Sequence, residues 1–270
     1  MGRTVLIDAD ILAYQIASSN EEVYNFGGLE VRNVNPEVAL GEVENAVEWI
    51  IDHVDADSAS LFLTGTNNFR KQVLSTYKGN RTAPKPELLP TIREWMLENT
   101  RCFIEDNLEG DDLIGIHATM PHKGERVIYS ADKDLKTVPG LHWSPEDGEV
   151  IEIGEEEATR FFLSQILTGD PVDNYAGCPG VGPVAAKKLL DEGLEWVAYM
   201  HTFKAGPRKG LEEKRWALEP CDDPWASIVS AYHKAGLTET DAITQARCAR
   251  ILRHGEYNFN TKEVNLWKPA

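Results

Sequence analysis

The sequence predicts an α/β fold: a central, mainly parallel sheet flanked by helices, followed by a helical region towards the C-terminus. Three observations predict it. Short apolar runs rich in branched and aromatic side chains recur through the first two-thirds of the chain. Longer stretches with helical spacing separate them, and strands that alternate with helices build parallel sheets. The runs also end repeatedly on acidic residues, and in open parallel sheets the ligand crevice lies outside the carboxyl ends of the strands.

The elements follow in order. The run Thr4–Ile7 leads into Asp8 and Asp10. A helical stretch over Glu37–His53 precedes the second run, Ser60–Leu63, and another over Leu88–Glu98 precedes the third, Cys102–Ile104. The third run ends at Glu105, followed by Glu109, Asp111 and Asp112, with a helix expected over Leu108–Met120. The fourth, Arg126–Tyr129, runs into Ser130, Asp132 and Asp134. One strand-end aspartate is explained as the cap of the next helix. Acids at the ends of three runs exceed what capping requires and read as a cluster. Glu155–Glu157 reads instead as a helix start, where acids complement the helix dipole.

After Phe162 the texture changes. Asp170 and Asp173 lead into Gly177, Gly180 and Gly182, then Pro183, Lys187 and Lys188. Gly-x-Gly followed by proline at a helix start is a tight turn that offers backbone N–H groups to an anion. From about Glu195 the pattern reads as mostly helical, broken by the polar segment Lys204–Gly210. The expected division is residues 1–168 and residues 169–270.

Composition narrows the function classes. With 42% hydrophobic and 26% charged residues over 270 positions, the chain reads as an ordinary soluble globular protein. A net charge of −17 is unusual for a nucleic-acid binder; it suits carboxylates that serve divalent cations, although composition alone favours an acidic protein that never meets nucleic acid. Cys102, Cys178, Cys221 and Cys248 have no C-x-x-C spacing and no histidine partner, so zinc is not expected and the thiols read as reduced. The seven histidines lack ligand spacing. No signal peptide or membrane-length apolar run is visible, so a cytoplasmic protein, with no membrane partner, is expected.

Clustered carboxylates repel one another unless cations neutralise them. Oxygen-only donors suit magnesium or manganese, and two such ions roughly 3.5–4 Å apart serve phosphodiester hydrolysis. Between Arg70 and Lys85 the chain holds two arginines, three lysines and no acid, with Tyr77 interleaved. Cations beside an aromatic ring are what gripping a nucleic-acid strand needs.

Taken together, these motifs resemble the 5′–3′ exonucleases and flap endonucleases, in particular the subgroup encoded by T-odd-like podophages. The resemblance rests on Ile7-Asp8-Ala9-Asp10, on Asn68-Phe69-Arg70-Lys71 with Tyr77-Lys78-Gly79-Asn80-Arg81, and on Glu109-Gly110-Asp111-Asp112. It continues through Ser130-Ala131-Asp132-Lys133-Asp134, Gly169-Asp170 with Asp173-Asn174, the Gly180–Gly182 hairpin and the tail Ala249–Arg253. It implies a 5′-nuclease, PIN-like core with a helix–three-turn–helix element, and hydrolysis at the 5′ end of duplex or flap DNA, in phage DNA replication or host DNA degradation. RNA–DNA hybrids are a further expected substrate, and the expected state is a monomer.

The resemblance places Asp8, Glu109, Asp111, Asp132, Asp134, Asp170 and Asp173 on metal-site carboxylates for two Mg2+ or Mn2+ ions, supported by Asp10 and Asp112. It gives Lys78 the reacting phosphate and makes Arg81 a basic partner on the same helix. Arg70, Lys71 and Tyr77 would bind DNA, Tyr77 by stacking on a terminal base. Gly180, Gly182, Lys187 and Lys188 would grip the duplex backbone, with a K+ ion at the hairpin. There is one departure: Gly65 stands where the family usually carries an aspartate. Two other classes share parts of the pattern, a PIN-type ribonuclease and a non-catalytic DNA-structure binder. The glycine hairpin argues against the first. The retained carboxylates argue against the second.

Overall fold

The computed structural model describes residues 2–269. In chain order its elements begin with β1 (Arg3–Asp8), α1 (Ala9–Ser19), β2 (Glu21–Phe26), β3 (Leu29–Val34), α2 (Pro36–His53) and β4 (Ser58–Thr64). A single helical turn, α3 (Arg70–Val73), precedes α4 (Leu89–Asn99), β5 (Cys102–Glu105), α5 (Gly110–Thr119) and β6 (Glu125–Tyr129). Next come a 3-10 turn at Lys133–Thr137, β7 (Gly140–Trp143), β8 (Ile151–Ile153), α6 (Glu155–Thr168) and α7 (Pro183–Asp191). The chain closes with β9 (Leu194–Thr202), β10 (Glu212–Pro220), α8 (Pro224–Lys234), α9 (Glu239–Ala249), β11 (Tyr257–Asn258) and β12 (Glu263–Val264).

These elements form two units that interleave along the sequence instead of meeting at one cut near residue 168. The first comprises Met1–Phe69, Thr82–Ala158 and Ile251–Asn265; the second comprises Arg70–Arg81, Thr159–Arg250 and Leu266–Ala270.

The first unit is built on a six-stranded sheet of order β5-β4-β1-β6-β7-β8. Its pairs are parallel except β7 with β8. All four apolar runs expected as strands are there. Val5, Leu6 and Ile7 of β1 are buried, as are Leu61, Phe62 and Leu63 of β4, because helices cover both faces of a parallel sheet. The strand after β1 in the sheet, β4, lies on one flank of β1, and β6 lies on the other. That reversal makes the carboxyl ends of β1 and β6 a topological switch point, where such sheets bind ligands.

Capping fixes where the helices start. The Asp8 carboxylate accepts from the Ile11 N–H at α1, and Asn35 accepts from Val38 N–H at α2, whose first residue is Pro36. Val43 and Ile50 of α2 and Ile92 and Met96 of α4 pack into the core formed with β1 and β4. The hairpin β2–β3 was not legible, since its side chains are mostly solvent-facing and lack a buried stripe.

The second unit has its own core of Phe162, Ile166, Leu167, Tyr175, Leu189, Ile228 and Tyr232. Glu155–Glu157 do open α6. The segment between α6 and α7 is a series of turns, where the helix–three-turn–helix element is expected. Gly180 turns with φ +79, a conformation that glycine adopts without strain.

The mostly helical reading from Glu195 onwards requires correction. β9 and β10 pair as an antiparallel ribbon from Leu194 opposite Pro220 to Thr202 opposite Glu212, and among the described residues only α8 and α9 follow as helices. Among the described residues no helix is long and apolar enough to cross a membrane, and all four cysteines are free thiols.

Candidate functional site

At the switch point of the first unit, Asp8 is the last residue of β1 and 6% exposed. Its two oxygens accept from the Ile11 N–H and from the Ser130 hydroxyl, the latter at 2.8 Å. The same hydroxyl oxygen accepts from Asp132 N–H at 2.9 Å, and Asp132 in turn accepts from Asp134 N–H at 2.8 Å. Ser130 therefore ties the β1 carboxylate to the turn after β6, holding Asp8, Asp132 and Asp134 in one chain of contacts. Burial above all pushes the Asp8 carboxyl up to about 7, against the Ser130 hydrogen bond; the charge of Asp10 pushes it the same way.

The neighbouring acids differ in burial and in what they hold. Asp10 accepts from Thr64 N–H at 2.7 Å and pairs with Arg93, whose other amino group donates to the Thr64 carbonyl. It ties the start of α1 to β4 and α4. Asp112 is fully buried, accepting from Glu109 N–H at 3.1 Å and from Leu252 N–H at 3.1 Å. It too is a support. Glu109 caps α5 and is 6% exposed, while Asp111, in the first turn, is partly open.

The donor set suits a hard divalent cation, because Asp8 is a buried carboxylate crowded by like charge and every side-chain donor around it is oxygen. Among the described residues, no three acidic, histidine or cysteine side chains already stand in a metal-holding arrangement.

The second unit carries a separate constellation. Asp173 accepts from the Tyr77 hydroxyl at 2.6 Å and Arg81 at 2.7 Å, with the Lys78 ammonium at 3.4 Å. Lys78 N–H donates to the Asp173 carbonyl, Asn80 to that of Pro171, and Asn174 to that of Thr76. The basic loop 77–81 is thus stitched to the turn 171–174. Asp170 is 4% exposed and accepts from Val172 N–H at 2.7 Å. Lys187 and Lys188 are exposed on α7, which starts at Gly182 and Pro183.

Four expectations need correction. Arg70 is 2% exposed, with its guanidinium on the Cys248 and Arg250 carbonyls, so it holds the second unit together instead of meeting DNA. Lys71 beside it is exposed. Tyr77 is 2% exposed and packs near Tyr175, so its ring is not offered for stacking. Lys78 and Arg81 do not share a helix, since α3 ends at Val73 and Lys78 lies in a turn with φ +53. Gly65 is not an open place for a carboxylate. A Cβ there would fall 2.2 Å from the Glu105 carbonyl oxygen, so backbone leaves no room for a side chain at this position, just past the end of β4.

Sequence reasoning assigned no role to Ser130, Arg93 or Thr64. The signal for Ser130 was its place directly after the fourth run and two residues before Asp132.

A parallel sheet tipped with carboxylates, in a chain that also carries a glycine-turned helix pair and a clamped basic loop, defines a nuclease. The chain belongs to the 5′–3′ exonuclease family: residues 3–144 match the model of its N-terminal resolvase-like domain. It is 38% identical over 223 residues to the exonuclease of Escherichia phage T7, covering 77% of this chain and 73% of that one. It is 37% identical to the exodeoxyribonuclease of Enterobacteria phage T3, covering 77% and 72%. In fold it is similar to a bacteriophage T5 flap endonuclease variant solved with DNA and metal ions, with a TM-score of 0.56, 16% identity and coverage of 71% of this chain and 75% of that one. The T5 5′-exonuclease solved with zinc gives a TM-score of 0.55 at 17% identity, covering 71% and 75%.

Proposed function

We propose that this 5′–3′ exonuclease hydrolyses phosphodiester bonds at the 5′ end of duplex or flap DNA with two divalent cations, Mg2+ or Mn2+. The observation that carries the reading is the Ser130 bridge, which puts a buried, like-charge-crowded Asp8 beside Asp132 at the switch point of the sheet. Asp8, Glu109, Asp111, Asp132 and Asp134 would hold the cations from the first unit. The family resemblance gives Asp170, in the second unit, a metal-site role as well. Bound there, the cations supply an activated water and stabilise the leaving oxygen.

The remaining work falls to the chain itself. Ser130 orients Asp8 by donating to it. Asp173 holds Lys78 and Arg81 in fixed directions, so that their charges are set before a phosphate arrives, which is where positioned cations help most. For Asp173 this clamping role fits the structure better than metal ligation, since three donors already surround its carboxylate. Gly180, Gly182 and the first N–H groups of α7 would meet the duplex backbone with Lys187 and Lys188, and the family resemblance adds a K+ ion at this hairpin. The reading also includes action on RNA–DNA hybrids, a monomeric state and a place in the host cytoplasm.

The test is a cleavage time course on 5′-labelled duplex, flap, single-stranded DNA, RNA and RNA–DNA hybrid, with Mg2+, Mn2+ or EDTA. Metal-dependent release from the 5′ end of duplex DNA, lost in Asp132→Asn, is expected. Metal-dependent cutting of RNA alone would favour a PIN-type ribonuclease. Duplex binding with no cleavage in either metal would leave a DNA-structure binder.

A further inference from the structure

The polar break at Lys204–Gly210 finds its place at the tip of the β9–β10 ribbon. Over Phe203–Leu211 the tip carries Lys204, Arg208 and Lys209 and no acid, in a chain of net charge −17. All three cations are exposed, and none has an acidic partner among the described residues. The Arg208 guanidinium stacks over the Phe203 ring, 4.0 Å from its centroid, and Arg215 approaches the same ring at 5.3 Å. The tip is closed by Phe203 N–H on the Leu211 carbonyl and Gly210 N–H on the Phe203 carbonyl. Apart from the Arg208–Phe203 stack, no ion pair among the described residues accounts for the gathering of these cations at the tip.

The ribbon grows directly out of the hairpin-bearing helix. α7 passes through Gly193 into β9, whose Trp196 N–H donates to the Ser230 hydroxyl of α8 at 2.8 Å. Gly180 of the hairpin, Lys188 of α7, Trp196 of β9 and Lys234 of α8 line one cavity of about 280 Å³. Lys234 sits over the Trp196 ring, 2.9 Å from its centroid. The base of the ribbon therefore adjoins the backbone-gripping hairpin, and both belong to the second unit. A strand of 9 residues spans about 30 Å, close to the roughly 34 Å of one duplex turn.

We propose that the β9–β10 ribbon is a second duplex-contacting element, its tip placing Lys204, Arg208 and Lys209 on phosphates about one helical turn from the hairpin's contact. The occupant is double-stranded nucleic acid backbone, by charge complementarity and reach. The ribbon would thus lengthen the footprint of the second unit on the duplex. This rests on the duplex-binding part of the proposed function.

The test compares wild type with the triple variant Lys204→Ala/Arg208→Ala/Lys209→Ala on blunt duplexes of about 10 and about 30 base pairs, near one and three turns, with EDTA during binding. Three lost phosphate contacts reduce the log–log salt slope by about 2.7, so that between 50 and 200 mM salt the wild type should lose roughly fortyfold more affinity than the variant on the long duplex. Affinity for the short duplex and turnover at saturating DNA should be unchanged. Lys204→Arg/Lys209→Arg should keep the wild-type slope, and matching melting curves establish that the variants fold.

An unchanged slope on the long duplex overturns the proposal and leaves the tip free for a protein partner. An equal loss on both lengths also overturns it, because the tip would then not reach beyond the first turn. Wild type that neither binds nor cuts duplex DNA would instead sink the proposed function on which this stands.

Discussion

At the scale of single residues, Asp8 and Arg70 make opposite predictions. The Asp8 carboxyl is raised from 3.8 to about 7, chiefly by burial, with Asp10 and Asp132 adding to it. Between those values the folded chain holds a proton that the unfolded chain has released. Stability from this group therefore falls as pH rises from about 4 to about 7, by at most about 1.4 kcal/mol per pH unit. Asp8→Asn removes the titration. In EDTA its melting temperature relative to wild type should climb across that window; parallel curves for the two proteins would refute the buried, protonated state. Arg70→Ala leaves the Cys248 and Arg250 carbonyls without their donor and should destabilise the protein by roughly 2–4 kcal/mol. Lys71→Ala should shift stability by no more than about 0.5 kcal/mol. Denaturant melts that show the two alike would contradict the burial of Arg70.

At the scale of elements, the readable parts were those whose signal is intrinsic to the strand. Thr4–Ile7 and Ser60–Leu63 are buried on both faces, so an unbroken apolar run betrays them. β10 gives the opposite signal: Glu212, Glu213, Lys214, Arg215, Ala217 and Leu218 are good helix formers, and only pairing with β9 makes them a strand. The site divided the same way. Acids at strand ends stood out, but the Ser130 bridge and the clamp on Lys78 depend on residues brought together by folding, as with Tyr77 and Asp173, and no local pattern announces that. Gly65 shows the limit of counting positions. Gly65→Ala should destabilise the β4–β5 edge by roughly 1–3 kcal/mol, because backbone leaves its Cβ no room. Thr64→Asp, at the strand end beside Asp10, should fold and lower the magnesium concentration for half-maximal cleavage. A raised magnesium requirement in a well-folded Thr64→Asp protein would show that β4 does not face the metal.

At the scale of the whole molecule, a chain of net charge −17 is held together partly against its own repulsion. Millimolar Mg2+ should therefore raise the wild-type melting temperature more than K+ at equal ionic strength, by the binding of a ligand to the folded state alone. Asp132→Asn should lose that difference along with most cleavage while still binding duplex DNA. An undiminished magnesium shift in the variant would place the cation elsewhere.

The tail has a consequence that belongs to synthesis instead of catalysis. Asp112, the buried support of the α5 start, receives a hydrogen bond from Leu252, and Ile251–Asn265 belongs to the first unit although it follows the Thr159–Arg250 stretch of the second. A ribosome delivers Asp8, Asp111 and Asp132 long before that partner, and contacts so far apart in sequence close slowly. The start of α5 therefore gains this support only once a segment 140 residues further along the chain has been made and has folded back onto it.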